Sequence, residues 1–265
     1  MTSLAELLGT RELLVNLTLR ELRGKYKRSV LGWTWSLLNP LATMAIFTVV
    51  FAYFLKVQAP PGDPSGLDVF ALYLLCGLLP WNFLSNGISG SMGALLGNSN
   101  LIKKVYFPRE VLVIANVASW VVSLLIEMAV LAVVLMAFGN FVLPWLPAVL
   151  ALVLIQTAFV VGLGLMFSVL NVYFRDVQHF VAILLQLWFY GTPIVYPLTY
   201  VPDNVRFVYG LNPMVRFVEA YRDCLYDLRL PPLLDWAYLV VVASITLAAG
   251  WIVFMRLEPK LAEEI

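Results

Sequence analysis

Arg20–Pro40 reads RELRGKYKRSVLGWTWSLLNP. Five basic residues, Arg20, Arg23, Lys25, Lys27 and Arg28, fall within nine positions, and the 27 residues from Ser29 to Leu55 then carry no charge. A basic cluster abutting an uncharged run of that length marks a chain entering a membrane, with the cytoplasm on the basic side. Trp33 and Trp35 lie one turn inside the boundary, at the level where indole rings settle among lipid headgroups.

The same pattern recurs along the chain. Of its 265 residues, 62% are hydrophobic and 12% charged, with a mean hydropathy of +0.88. Soluble domains carry about twice that share of charge. The apolar runs exceed the ~10 residues of a barrel strand and lack period-two alternation, so the class is all-α integral membrane. Two cysteines, Cys76 and Cys224, and one histidine, His179, exclude a disulfide framework and a histidine metal site. Met1–Arg28 has charges throughout and no apolar core, so it is not read as a cleavable signal.

From Met1 to Arg28 the spacing predicts an interfacial amphipathic helix, with Ser3 and Thr10 as caps and Val15, Leu19, Leu22 and Tyr26 on one stripe. Six spans follow, at about Leu31–Leu55, Phe70–Leu95, Val111–Phe138, Leu146–Tyr173, Val177–Val195 and Trp236–Met255. In the first, Ser36, Asn39 and Thr43 share a face that Phe47 and Phe51 continue, and a polar stripe must look at protein or a cavity. Pro80 is expected to bend the second. Asn98 or Ser99 should then cap a short basic helix with Lys103 and Lys104, ended by Pro108. On composition alone that helix reads better as an ordinary cytoplasmic loop.

The third span holds Glu127 on one polar face with Asn116, Ser119 and Ser123; helix–helix bonding and a place in a transport path both stay open. Gly164 and Ser168 are spaced for close helix packing in the fourth. Pro197–Pro232 is too polar to span and predicts two short helices at the outer surface, one starting at Pro213 behind a capping Asn212. With both termini inside, 12 of the 17 Lys and Arg residues fall on the cytoplasmic side and 5 outside.

Five blocks carry a resemblance. RGKYKRSVLGWTWSLLNPL (Arg23–Leu41), NLIKKVYFPRE (Asn100–Glu110), NVYFRDVQ (Asn171–Gln178), TPIVYP (Thr192–Pro197), and NPM with EAYRD (Asn212–Met214, Glu219–Asp223) are similar to the membrane subunit of bacterial ABC exporters for lipid-linked polysaccharides, of the O-antigen, capsule and wall teichoic acid type. The resemblance implies one transmembrane permease domain over residues 1–265 in the bacterial plasma membrane. Within it, residues 98–107 would form a coupling helix docking on an ATPase subunit, and residues 198–230 outer re-entrant gate helices. Lys103, Lys104, Tyr106, Phe107, Arg175 and Asp176 would then couple to the ATPase. The substrate would be an undecaprenyl-type lipid-linked polysaccharide.

Independently of that resemblance, no G-x-x-x-x-G-K-[ST] occurs; Gly24-Lys25 has Leu19 where the first glycine belongs. The chain is therefore expected not to hydrolyse ATP, to be no enzyme by itself and to hold no cofactor; the resemblance implies ATP and Mg on a partner subunit. A channel face confined to the first and fifth spans suggests two copies facing each other. Sugar C–H faces pack on aromatic rings, so Trp35, Ser36, Asn39, Thr43, Phe47, Phe51, Gln186, Trp188 and Tyr190 are candidate channel residues, although rings that merely fill a membrane core would look the same. Arg23, Lys25 and Arg28 are candidates for the carrier lipid's phosphate. No nucleic-acid partner is expected. An ABC permease for another lipid or a drug, or a secondary transporter, are the alternatives.

Overall fold

The computed structural model describes residues 11–25, 34–54 and 60–264, and among these every regular element is helical. In chain order they are α1 (Arg11–Lys25), α2 (Trp35–Phe47), α3 (Phe70–Leu96), α4 (Ser99–Lys104), α5 (Glu110–Ala137), α6 (Leu146–Tyr173), α7 (Val177–Tyr190), α8 (Asp203–Leu211), α9 (Pro213–Arg222), α10 (Leu233–Leu257) and α11 (Leu261–Glu264). α2 and α9 each run on into a wider π-helical turn, Thr48–Phe54 and Asp223–Asp227.

Among the described residues, four helices are long and apolar enough to cross a bilayer: α3, α5, α6 and α10. The remaining two expected spans are shorter apolar helices, α7 with 14 residues and α2 with 13 before its π turn. The first span's expected ends at Leu31 and Leu55, and the caps at Ser3 and Thr10, lie outside the described residues.

α3 is the centre of the packing. It is the least apolar of the four long helices and the most buried, with α5, α6, α9 and α2 around it. α10 is much more apolar, is mostly exposed, and rests chiefly on α6. That inversion is what lipid imposes, because polar groups and glycines need protein neighbours while aliphatic side chains are content against acyl chains. α3 runs unbroken through Pro80, whose carbonyl accepts a 2.8 Å bond from the Gln156 amide on α6.

The tightest helix contact is α6 on α10. A methyl added to Gly162 would sit 2.5 Å from the Thr246 carbonyl oxygen, and one on Gly250 would strike the Gly162 carbonyl. Of the expected pair Gly164 and Ser168, Gly164 makes a close approach on another face, against Ser91 of α3, while the Ser168 hydroxyl bonds the Leu165 carbonyl of its own helix. The residue spacing identified the small stripe without showing which of two neighbours it served.

The apolar interior has two parts. A large cluster fills the middle and one end, around Leu72, Leu84, Phe159, Phe217 and Tyr221. A smaller one joins the other end, where Leu17 of α1, Leu95, Ile102, Phe107, Val111, Val169 and Phe254 meet. Arg20, Lys103, Arg109, Arg175 and Arg256 belong to this second end, called the basic end below. On α1 the buried residues are Leu17 and Leu22, while Val15 and Leu19 of the expected stripe are exposed. α1 therefore offers one leucine face to the protein and another outward, and its long axis is applied to α5 instead of standing clear of the bundle.

Candidate functional site

Three motifs, Thr192–Pro197 after α7 and Asn212–Met214 and Glu219–Asp223 at the two ends of α9, meet at the end opposite the basic one. The starting point is a helix that stops. α7 ends at Tyr190, five residues short of the expected Val195, because Pro193 disfavours helix at Thr192 and lacks the N–H to continue. The carbonyls thus released need donors, and two side chains supply them. The Asn212 amide donates to the Gly191 carbonyl (3.1 Å) and to the Thr192 hydroxyl (3.2 Å). Its oxygen accepts from the Trp188 indole N–H (2.8 Å) and from Met214 N (3.0 Å), which caps α9 as expected. Arg222, only 2% exposed, donates to the carbonyls of Pro193 (2.7 Å) and Ile194 (2.8 Å). Its remaining needs are met by Glu219 at 2.8 Å and the face of Tyr73 of α3 at 3.7 Å.

Around this hub lies a charged rim. Arg229 bonds Asp223 (2.6 Å) and Asp227 (3.3 Å), Arg206 pairs with Asp203 (2.8 Å), and Arg216 joins Asp235 while lying 4.4 Å from the Tyr238 ring. Of these, Arg206, Arg216, Asp223, Arg229 and Asp235 border an open cavity of about 550 Å³. Burial pushes the Asp227 carboxyl up to about 6, against the opposing pull of Arg229, and raises that of Asp223 as well.

A second cavity, about 320 Å³, opens between α3 and α7. Trp81, Phe189 and Tyr190 give it aromatic walls, and Ser85, Ser89 and Gln186 give it hydroxyl and amide groups. Gln186 and Tyr190 were expected in such a place. Trp188 is not in it: its ring meets Trp81 and Phe159 edge-on at 6.0 and 6.4 Å, and its N–H is spent on Asn212. Trp81, Ser85 and Ser89 were missed, although their i, i+4, i+8 spacing on α3 was a visible stripe. On α2, Trp35 is exposed, Thr43 and Phe47 are half-buried, and none of them lines the cleft. The side chains of Ser36, Asn39 and Phe51, and residue Arg28, lie outside the described residues.

At the basic end α4 is a single short helix of six residues. Asn98 does not cap it; its amide bonds back to the Ala94 carbonyl at 2.7 Å and its oxygen accepts from Arg20 at 2.7 Å. The helix ends at Lys104, four residues before Pro108, and Val105 after it is extended. Tyr106 is 98% exposed there, whereas Phe107 is turned into the basic-end core. Lys103, Lys104, Arg175 and Asp176 are all exposed. The Asn171 amide on α6 donates to the Met92 carbonyl on α3 (3.0 Å), which sets the two helix ends carrying these residues side by side.

Lys25 has a socket on α5: its ammonium lies 3.2 Å from both the Ser119 carbonyl and the Ser123 hydroxyl, 3.3 Å above the Trp120 ring, and within Coulomb range of Glu127. The polar face of α5 thus receives α1, and Lys25 is occupied there. Arg20 and Arg23 border an open cavity with Asn16.

The ABC-2 type transporter family pattern matches residues 12–226. Over 98% of both chains, the sequence is 33% identical to the O-antigen export system permease protein RfbA of Myxococcus xanthus. It is 30% identical to the Klebsiella pneumoniae protein of the same name, over 95% of this chain and 94% of that one. Identity to the polysialic acid transport protein KpsM of Escherichia coli is 26%, over 88% and 89%.

Proposed function

The chain belongs to the ABC-2 type transporter family, and from that premise we propose that it is the transmembrane half of an exporter for a lipid-linked polysaccharide in the bacterial inner membrane. The single observation that carries this reading is near-full-length similarity to O-antigen export permeases. The chemistry of the α3–α7 cleft agrees with it, since aromatic rings suit sugar C–H faces and serine and glutamine suit their hydroxyls.

In the proposed arrangement α2 and α7 complete a set of six spans, and the basic end faces the cytoplasm in keeping with its lysines and arginines. Two copies face each other, and each engages a separate ATP-binding-cassette subunit that supplies ATP and Mg. Lys103, Lys104 and Tyr106 seat in that subunit, with Arg175 and Asp176 beside them; Phe107 supports the seat from within. Arg20 and Arg23 meet the phosphate of an undecaprenyl-type carrier at the headgroup level, and Arg28 continues that cluster in sequence. α8 and α9, hinged on Asn212 and Arg222, close the outer end.

Depletion of the chain in its own host tests this reading. Surface polysaccharide is expected to disappear while its lipid-linked precursor accumulates inside the cell. Unchanged surface glycan with altered export of another lipid or a drug would overturn it in favour of a different cargo.

A further inference from the structure

We propose that the basic end holds a binding site for an anionic glycerophospholipid, between the Val105–Arg109 connection and the last two turns of α10. The site rests on the orientation given above, with the basic end in the cytoplasmic leaflet. A cavity of about 570 Å³ opens there, within the ~300–1,000 Å³ range typical of small-ligand sites. Arg109 and Arg256 stand at its rim, and Trp251, Ile252 and Met255 form its wall on α10. At 1.5 Å per residue, Trp251 lies roughly 8 Å from Arg256 along the helix, toward the membrane interior. A phosphodiester between the two arginines would therefore leave its acyl chains at the depth of Trp251 and Ile252.

Three details favour a lipid over other anions. Ile252 is exposed, so the apolar wall opens sideways to the bilayer. Arg109 is braced by a 2.7 Å bond from one guanidinium nitrogen to the Glu258 carbonyl, which fixes its planar fork before any ligand arrives. Glu258 is the one acidic side chain among the lining residues, set against two arginines, with the buried Glu110 carboxylate in Coulomb range behind it. Basic pockets between spans on the cytoplasmic side take anionic headgroups in this manner. The proposed contact with the polyprenyl carrier lies elsewhere, at a cavity of about 550 Å³ bordered by Arg20 and Arg23 on α1. A soluble partner reaches Tyr106 but not a wall at membrane depth.

The test uses the full chain purified in nanodiscs of phosphatidylcholine with a minor share of phosphatidylglycerol, and reads retained lipid by native mass spectrometry. Phosphatidylglycerol should be retained in preference to phosphatidylcholine. Retention should fall about fivefold in Arg256→Gln, the value of one interfacial charge, and should be kept in Arg256→Lys. Arg256 is exposed, so these variants are expected to fold. Arg109→Lys, which loses the fork, should also lower retention. Equal retention in Arg256→Gln would overturn the proposal, as would an equal fall in Arg11→Gln, an exposed arginine that borders neither cavity, which would mean a diffuse charge effect. Displacement of the lipid by inorganic phosphate alone would reduce the site to a simple anion site and also overturn it. The readout needs neither ATPase nor export, so failure of the exporter reading leaves a distinct signature: lipid retention that depends on Arg256 in a chain whose depletion leaves the surface glycan unchanged.

Discussion

Arg222 carries a charge that a chain crossing lipid cannot leave unpartnered, and it uses that charge to hold the two carbonyls released where α7 breaks. Lysine at this position keeps the charge but not the fork that reaches Pro193 and Ile194 together. Arg222→Lys is therefore expected to cost about 2 kcal/mol of stability, read as a lower unfolding temperature in detergent, with Asn212→Ala acting in the same direction. Asp227 gives a pH prediction of defined sign. Burial raises its carboxyl to about 6 from an ordinary value of 3.8, so between those values the folded state binds more protons than the unfolded one. Stability must then rise as pH falls from 7 toward 5. Asp227→Asn should flatten that rise, leaving the smaller contribution of Asp223; an unaltered pH profile in the variant would refute the assignment. Lys25 was legible in sequence only as one of five similar charges. Its seating on Ser119, Ser123 and Trp120 depends on which face α1 turns to α5, and α1 has leucines on both faces.

At the scale of elements, α4 and the connection after it separate two neighbouring aromatics that the sequence could only group together. Tyr106 stands out from the surface and Phe107 fills the basic-end core. Tyr106→Ala should leave thermal stability within about 0.5 kcal/mol of the parent while lowering polysaccharide export and the ATPase activity of the reconstituted complex. Phe107→Ala should instead cost about 3 kcal/mol, measured by unfolding without any partner. If both variants unfold alike and export alike, the seat is misplaced. The α6–α10 crossing is likewise a packing matter. Gly250→Val drives a branched side chain into the Gly162 backbone, and the expected outcome is loss of folded protein after purification.

The whole molecule places α4 at one end and α8 with α9 at the other, and the proposed orientation assigns these to opposite sides of the membrane. Cys76 and Cys224 are both buried, so background labelling of the native chain by an impermeant thiol reagent should be low. Cysteine introduced at Asp63 or Thr199 should label from outside intact cells, and cysteine at Lys103 or Arg175 only after the membrane is opened. Labelling of position 103 from outside would invert the topology and with it the cytoplasmic seat for an ATPase.

Membrane class, the four long spans and the positions of the polar connections were determined by the sequence itself, since they depend on local quantities: run length, charge and the placement of proline and glycine. The cap at Asn212 and the polar face of α5 were legible for the same reason. Tertiary structure alone decided which neighbour each face meets. It sent Trp188 into a ring cluster instead of a cavity, drew Trp81, Ser85 and Ser89 into the cleft with Gln186, and joined three separate motifs through Asn212 and Arg222. The physical reason is that a helix bounded by lipid shows only a weak apolar bias from side to side, so its rotation is set by close packing and by the few hydrogen bonds that lipid cannot replace. Those bonds form between residues tens of positions apart, which no local pattern records.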